Sequence, residues 1–243
     1  MIPKDHPRYR SLKTRELLAR YAADGIVTLE GLTAHGRGEA FDYLIGEKTM
    51  ESARQAAKAA AALLLSAKRP IISVNGNTAA LAAGQIRDLQ EASGADVEVN
   101  LFHRTPERME KVTRHLEEQG VRVLFGETVG LLPLSHDRGF CLREGIGSAD
   151  VILVPLEDGD RCRALTALGR TVIVIDLNPL SRSAREATLT IVDELTRALP
   201  VVTGYCREIE PWEIPSLASG FDNRVFLGDA LHEICRRLEH ALD

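Results

Sequence analysis

Cysteine is scarce, and the four that occur (Cys141, Cys162, Cys206 and Cys235) are scattered with no CxxC pair. That spacing argues against a zinc site or a disulfide framework and leaves buried or reduced thiols. Long apolar runs are missing too. The longest, "AAAALLLSA" before Lys68, is far short of a bilayer span. The start, "MIPKDHPRYR", is charged and lacks the apolar core of a secretory signal. No GxxxxGK[ST] occurs, which excludes a P-loop, and no GxGxxG follows the first strand-like run. "GIGSAD" lacks the third glycine and the right placement, so a nicotinamide enzyme is disfavoured. There is no HExxH, internal repeat or low-complexity linker. A net charge of −5 removes any broad attraction to nucleic acid or anionic membrane. A soluble cytoplasmic protein is expected.

What is present is ample apolar content, 44% of 243 residues, enough for one large domain or a domain with a lobe. "SLKTRELLARYAADG" reads as a helix with Leu12, Leu17, Leu18 and Tyr21 as its apolar positions, ended by Gly25. "TMESARQAAKAAAALLLSAKR" reads as an alanine-rich helix capped by Thr49. The intervening "AHGRGEAFDYLIGE" reads as a loop followed by a short helix.

From Pro70 the pattern changes. "IISVNGN", "ADVEVNLF", "VRVLFG", "ADVILVPL", "RTVIVIDLN" and the short "TLTIVD" are strand-like, and helix-like segments separate many of them. Thr105 and Pro106 mark one helix start. Nearly all-apolar strands alternating with helices predict an α/β fold, a Rossmann-like, mostly parallel sheet covered by helices. Residues 1–69 read as an N-terminal helical portion packed on a Rossmann-like domain, 70–243, one compact unit overall.

In such a sheet ligands gather at the carboxyl ends of strands. Three ends carry polar groups: Asn75-Gly76-Asn77, the run Asn100 to Arg104, and Asp176-Leu177-Asn178 with "PLSRSARE" behind it. Any one could be ordinary turn chemistry, but three together make a lining suited to a small anion. Asn77 and Thr78 could also cap the next helix, whose N–H groups bind phosphate. Within residues 1–20, six cations face only Asp5 and Glu16. Most read as a solvated helix face. Arg15 and Arg37 flank the same loop and could converge on one phosphate, which a guanidinium fork suits. Gly36 and Gly38 would let a ligand approach the backbone beside Arg37. Arg37 and His35 are the catalytic candidates, although a lone histidine is more often packed or at the surface. Glu39, Asp42 and Glu47 could hold Mg²⁺ through water or simply pair with neighbouring cations.

The strings "IPKDHPRYRSL", "HGRGEAFDYLIGE", "VNGN", "NLFHRT" and "IDLNPLSRSA" resemble the archaeal 4-phosphopantoate–β-alanine ligases, or phosphopantothenate synthetases, from residue 2 to about residue 200. The resemblance implies a Rossmann-like homodimer of coenzyme A biosynthesis. It would join 4-phosphopantoate to β-alanine with ATP and Mg²⁺, through a phosphopantoyl adenylate, giving AMP and pyrophosphate. It places ATP contacts on Arg15, Arg37, Asp176, Leu177, Asn178, Arg182, Ser183, Glu194 and Leu195. At Glu194 the family more commonly has Asn. For 4-phosphopantoate the strand-end residues Asn75, Asn77, Asn100, His103 and Arg104 are the candidates. Magnesium ligands are not assigned. Two other readings are a non-catalytic sensor of a phosphorylated metabolite, which needs no ATP pocket, and the disfavoured dinucleotide oxidoreductase.

Overall fold

In the computed structural model of the chain, which describes residues 2–134, 136–156 and 158–241, the apolar runs form a five-stranded parallel sheet. The strands of the chain are β1 (Pro70–Val74), β2 (Asp96–Val99), β3 (Thr128–Gly130), β4 (Phe140–Leu142), β5 (Val151–Pro155), β6 (Thr171–Ile175) and β7 (Leu189–Ile191). The helices are α1 (Tyr9–Ala23), α2 (Leu29–Ile45), α3 (Glu51–Ser66), α4 (Gly76–Ser93), α5 (Pro106–Glu118), α6 (Gly159–Ala167), α7 (Arg182–Glu186), α8 (Leu195–Glu208), α9 (Ile214–Ser219) and α10 (Asn223–Glu239).

Alternation along the strands divides the core. Ile72, Val74, Leu153, Ile173 and Ile175 face one side with α3, α4 and α8. Ile71, Ile152, Val154, Val172 and Val174 face the other with Cys162 and Leu165 of α6. Both faces are covered, which is why these strands read as continuous apolar runs. The first face also holds Leu18, Ile26, Val27 and Ile45, so the N-terminal helices share a core with the sheet. In α3 ten of sixteen residues are buried, most of them alanines whose small side chains admit close packing.

The main sheet runs β2-β1-β5-β6-β7. The chain therefore leaves β1 toward one edge and returns to β5 on the other side, which puts the topological switch between β1 and β5. Asn75 spans that switch. Its Oδ1 accepts from Thr78 N at 3.0 Å and caps α4, while its Nδ2 donates to the carbonyls of Pro155 and Leu156 at 3.1 and 3.2 Å. Leu156 sits there at φ +57°, a left-handed conformation that branched side chains rarely adopt.

Four expectations are corrected. "VRVLFG" forms no strand; Val123 makes one isolated bridge to Val97, and the chain then turns into the short antiparallel hairpin β3–β4. Thr49 does not cap α3, because its hydroxyl is taken by Asp193 at 2.6 Å and Met50 occupies the cap position. Asn75, not Asn77 or Thr78, caps α4. And "AHGRGEAFDYLIGE" is no loop: it lies within α2 except for its last two residues. None of the four cysteines forms a disulfide. Among the described residues no helix is long and apolar enough to cross a membrane.

Candidate active site

α2 begins at Thr28, whose hydroxyl accepts from Gly31 N, and ends at Gly46, which takes φ +101°. That left-handed C-cap favours glycine. Gly36 and Gly38 fall mid-helix, where each costs roughly 1 kcal/mol against alanine. Gly38 faces the loop after β6; a methyl group there would sit 3.7 Å from Leu177 Cδ1. The preceding residue, Arg37, is exposed and acts electrostatically on Asp176. Burial raises the Asp176 carboxyl above its ordinary value, and the Ser181 hydroxyl, the Asn178 N–H and Arg37 oppose that rise. The cation of α2 and the carboxylate ending β6 thus lie within electrostatic reach of each other.

α1 contributes from the side. Arg8, Ser11 and Arg15 recur at helical spacing on one face, and all three converge on Glu39 of α2. Arg8 donates at 3.1 Å, Arg15 Nε at 2.8 Å, and Ser11 donates its hydroxyl. Burial works against the charge of Glu39, but the bonds from Ser11 and Arg15 outweigh it and hold the carboxyl below its usual range. His35 lies within electrostatic reach of Glu39, Glu194, Arg15 and Asp42; burial lowers it from the ordinary imidazole value, which favours the neutral ring. Of the two roles open to Glu39, pairing with neighbouring cations is the one the structure shows, with Arg8 and Arg15 as the partners.

Beyond β6, Asp176 Oδ1 accepts from Asn178 N at 2.9 Å and Oδ2 from Ser181 Oγ at 2.5 Å. Leu177 is buried beneath α2, and Asn178 Oδ1 accepts from Leu180 N. Ser181 caps the short α7. Arg182 pairs with Asp160 of α6, and Ser183 is buried. Glu194 caps α8, its Oε2 accepting from Thr196 N at 2.9 Å, Arg197 N at 3.2 Å and the Thr196 hydroxyl at 2.6 Å. Leu195 is buried behind it.

The residues expected to hold 4-phosphopantoate are more dispersed. Asn75 is committed to the switch, and Asn77 Nδ2 donates to Gly31 O at 2.8 Å, tying α2 to α4. Asn100 is buried; its Nδ2 donates to Phe140 O, while Oδ1 has no hydrogen-bond partner. His103 is exposed and edge-on to Phe102. Arg104 reaches Thr128 Oγ1 at 3.2 Å, keeps Nη1 buried without a partner, and lines a cavity of ≈ 510 Å³ between β2, α5 and β3–β4. β2 and β6 lie three strand spacings apart, about 14 Å. So one group gathers at β6 and β7 and the other at β1 and β2, with the switch between.

The model for the phosphopantothenate/pantothenate synthetase family matches residues 52–237. The chain is 58% identical over 243 residues to the 4-phosphopantoate–β-alanine ligase of Methanospirillum hungatei, covering 100% of both proteins. The chain belongs to this family. The ligase of that name from Methanosarcina mazei is 49% identical over 242 residues, covering 98% of this chain and 96% of its own. That from Thermococcus kodakarensis is 46% identical over 246 residues, with 98% and 93% covered. Membership makes the chain an enzyme, an ATP-dependent ligase.

Within that family setting, Glu194 yields a prediction. Its carboxylate is spent on the helix cap, and Asn is an equally favoured cap. Glu194→Asn should change unfolding free energy by under about 0.5 kcal/mol and leave the KM for ATP unaltered. A marked fall in KM would mean that a side-chain amide at this position touches the nucleotide.

Proposed function

We propose that this enzyme condenses 4-phosphopantoate with β-alanine to 4′-phosphopantothenate, a step of coenzyme A biosynthesis, acting as a homodimer. The observation that carries the reading is that Arg37 stands within electrostatic reach of Asp176 at the carboxyl end of β6, in a chain 58% identical to a ligase of that name. The nucleotide would lie with its ribose toward Asp176, the usual role of an acid ending a Rossmann-like strand. Its phosphates would run under Arg37 toward the switch between β1 and β5, where the acid arrives from the Asn100–Arg104 side.

The chemistry then needs two anions to touch. A carboxylate oxygen of 4-phosphopantoate attacks the α-phosphorus, and the bond to pyrophosphate breaks with its electron pair leaving on the pyrophosphate. The amine of β-alanine, its ammonium proton given up to water, next attacks the acyl carbon; the C–O bond breaks with its electron pair leaving on AMP, and the second N–H proton passes to water as the amide forms. An attacking carboxylate needs no general base, so the first step depends on screening and alignment. Arg37 supplies a fixed cation, and Arg15, held by Glu39, a second nearby. In its favoured neutral form His35 can donate or accept a hydrogen bond without adding charge. Among the described residues no group of three or more His, Cys, Asp or Glu could hold a metal ion. That fits a Mg²⁺ carried by the phosphates with its own waters rather than by a protein cage. When bound it would screen the phosphate charge.

Isotope exchange of pyrophosphate into ATP is the test. Exchange should require 4-phosphopantoate and proceed without β-alanine. Exchange driven by β-alanine alone would reverse the order of steps, and ATP or metabolite binding without turnover would favour a sensor.

A further inference from the structure

α2 carries His35 and Arg37, and two mid-helix glycines weaken it. Ile45 lies in the core, and Leu32, Phe41 and Leu44 pack half-buried against it. Polar contacts add to that anchorage. The strongest candidate is Asp42 itself, 7% exposed, since a carboxylate at that depth is tolerable only when paired.

Its partner comes from α8. Arg197 grips Asp42 with Nη2 at 2.5 Å and Nη1 at 3.1 Å, and donates from Nε to Asp193 Oδ1 at 2.9 Å. Asp193 is 2% exposed, and its Oδ2 accepts from Thr49 at 2.6 Å. Burial disfavours the guanidinium's charge, but the bonds and charges of Asp42 and Asp193 more than offset it. Asp193 leaves the β7 exit immediately before Glu194 and Leu195. One guanidinium thus stands between the helix bearing Arg37 and the segment that caps α8 on the other wall of the nucleotide site.

We propose that Arg197 is a positioning residue of the adenylation site, setting through Asp42 and Asp193 the distance from α2 to the loops ending β6 and β7. It touches no substrate. The proposal rests on the function proposed above and deepens it. A planar fork can fix a helix in two directions at once, which an ammonium cannot. A shift of about 1 Å in Arg37 is enough to cost on the order of 100-fold in rate.

The full-length enzyme should be compared with Arg197→Lys, Arg197→Met and Asp42→Asn. Thermal unfolding, calorimetric ATP affinity and pyrophosphate exchange would be read on each. Arg197→Lys is expected to fold, weaken ATP binding about tenfold and slow exchange about 10–100-fold, with the KM for 4-phosphopantoate nearly unchanged. Arg197→Met should be worse than Lys in both, and the nearly isosteric Asp42→Asn should follow the same direction if either arginine variant fails to fold. Wild-type ATP affinity and exchange in the folded variants would overturn the proposal. So would a loss of exchange that tracks only the unfolded fraction while the KM for ATP stays constant. If the wild-type enzyme binds ATP but shows no exchange dependent on 4-phosphopantoate, the adenylation reading fails instead. The variants' ATP affinities would then still decide whether Arg197 positions the nucleotide site.

Discussion

Arg37→Ala should abolish the 4-phosphopantoate-dependent exchange of pyrophosphate into ATP and leave the protein folded. The side chain is exposed and forms no hydrogen bond or ion pair among the described residues, so its removal orphans nothing. Alanine is also the better helix former, and between Gly36 and Gly38 it should steady α2 slightly. The expected loss is electrostatic. A fixed cation facing a charge that develops on a transferring phosphoryl group is worth about 10³-fold or more in rate. Arg37→Lys should recover part of it, since the charge remains but the paired hydrogen bonds do not. Exchange kinetics and the thermal midpoint, measured on the same preparation, decide the matter. A folded alanine variant with normal exchange would remove Arg37 from the site and with it the proposed path of the phosphates.

The sheet was legible because its strands are buried on both faces, which leaves runs such as Val151–Pro155 and Thr171–Ile175 almost wholly apolar. The misread segments fail for identifiable reasons. "HGRGE" looks like a loop because two glycines are poor helix formers, and what holds it helical is long-range: Asp42 meets Arg197 from 155 positions away. "VRVLFG" has strand composition, yet one bridge to Val97 is all the sheet edge offers it. The hairpin β3–β4 has three residues per strand, too few for any period to register. In the site, composition pointed to polar strand ends and the family resemblance to particular residues. The structure puts Arg37 within electrostatic reach of Asp176 and His35 within reach of Glu194, and it pairs Arg15 with Glu39. It commits Asn75 and Asn77 to scaffolding. Asparagine at a strand end is the same letter whether it binds a ligand or a helix.

That ambiguity makes Asn75→Ala the second large effect to expect, this time on stability. The side chain makes four hydrogen bonds at the switch: it accepts from the N–H and hydroxyl of Thr78 in the first turn of α4 and donates to two carbonyls at the end of β5, those of Pro155 and Leu156. Losing the cap costs about 1 kcal/mol. Leaving two carbonyls short of a donor costs about 1 kcal/mol each. Together these amount to roughly 3 kcal/mol, a sizeable part of the 5–15 kcal/mol that ordinarily separates folded from unfolded chains. In a protein of this length the midpoint should fall by about 6–12 °C. Asn75→Asp keeps the acceptor that caps α4 but turns a carboxylate oxygen toward the same two carbonyls, so it should also be destabilised. Were Asn75 chiefly a ligand contact, alanine would raise the KM for 4-phosphopantoate and leave the midpoint where it was. Denaturation and steady-state kinetics on the one variant therefore separate the two roles. A lowered midpoint with the KM preserved would show that this amide ties β1 to β5 at the switch and is no contact of the acid.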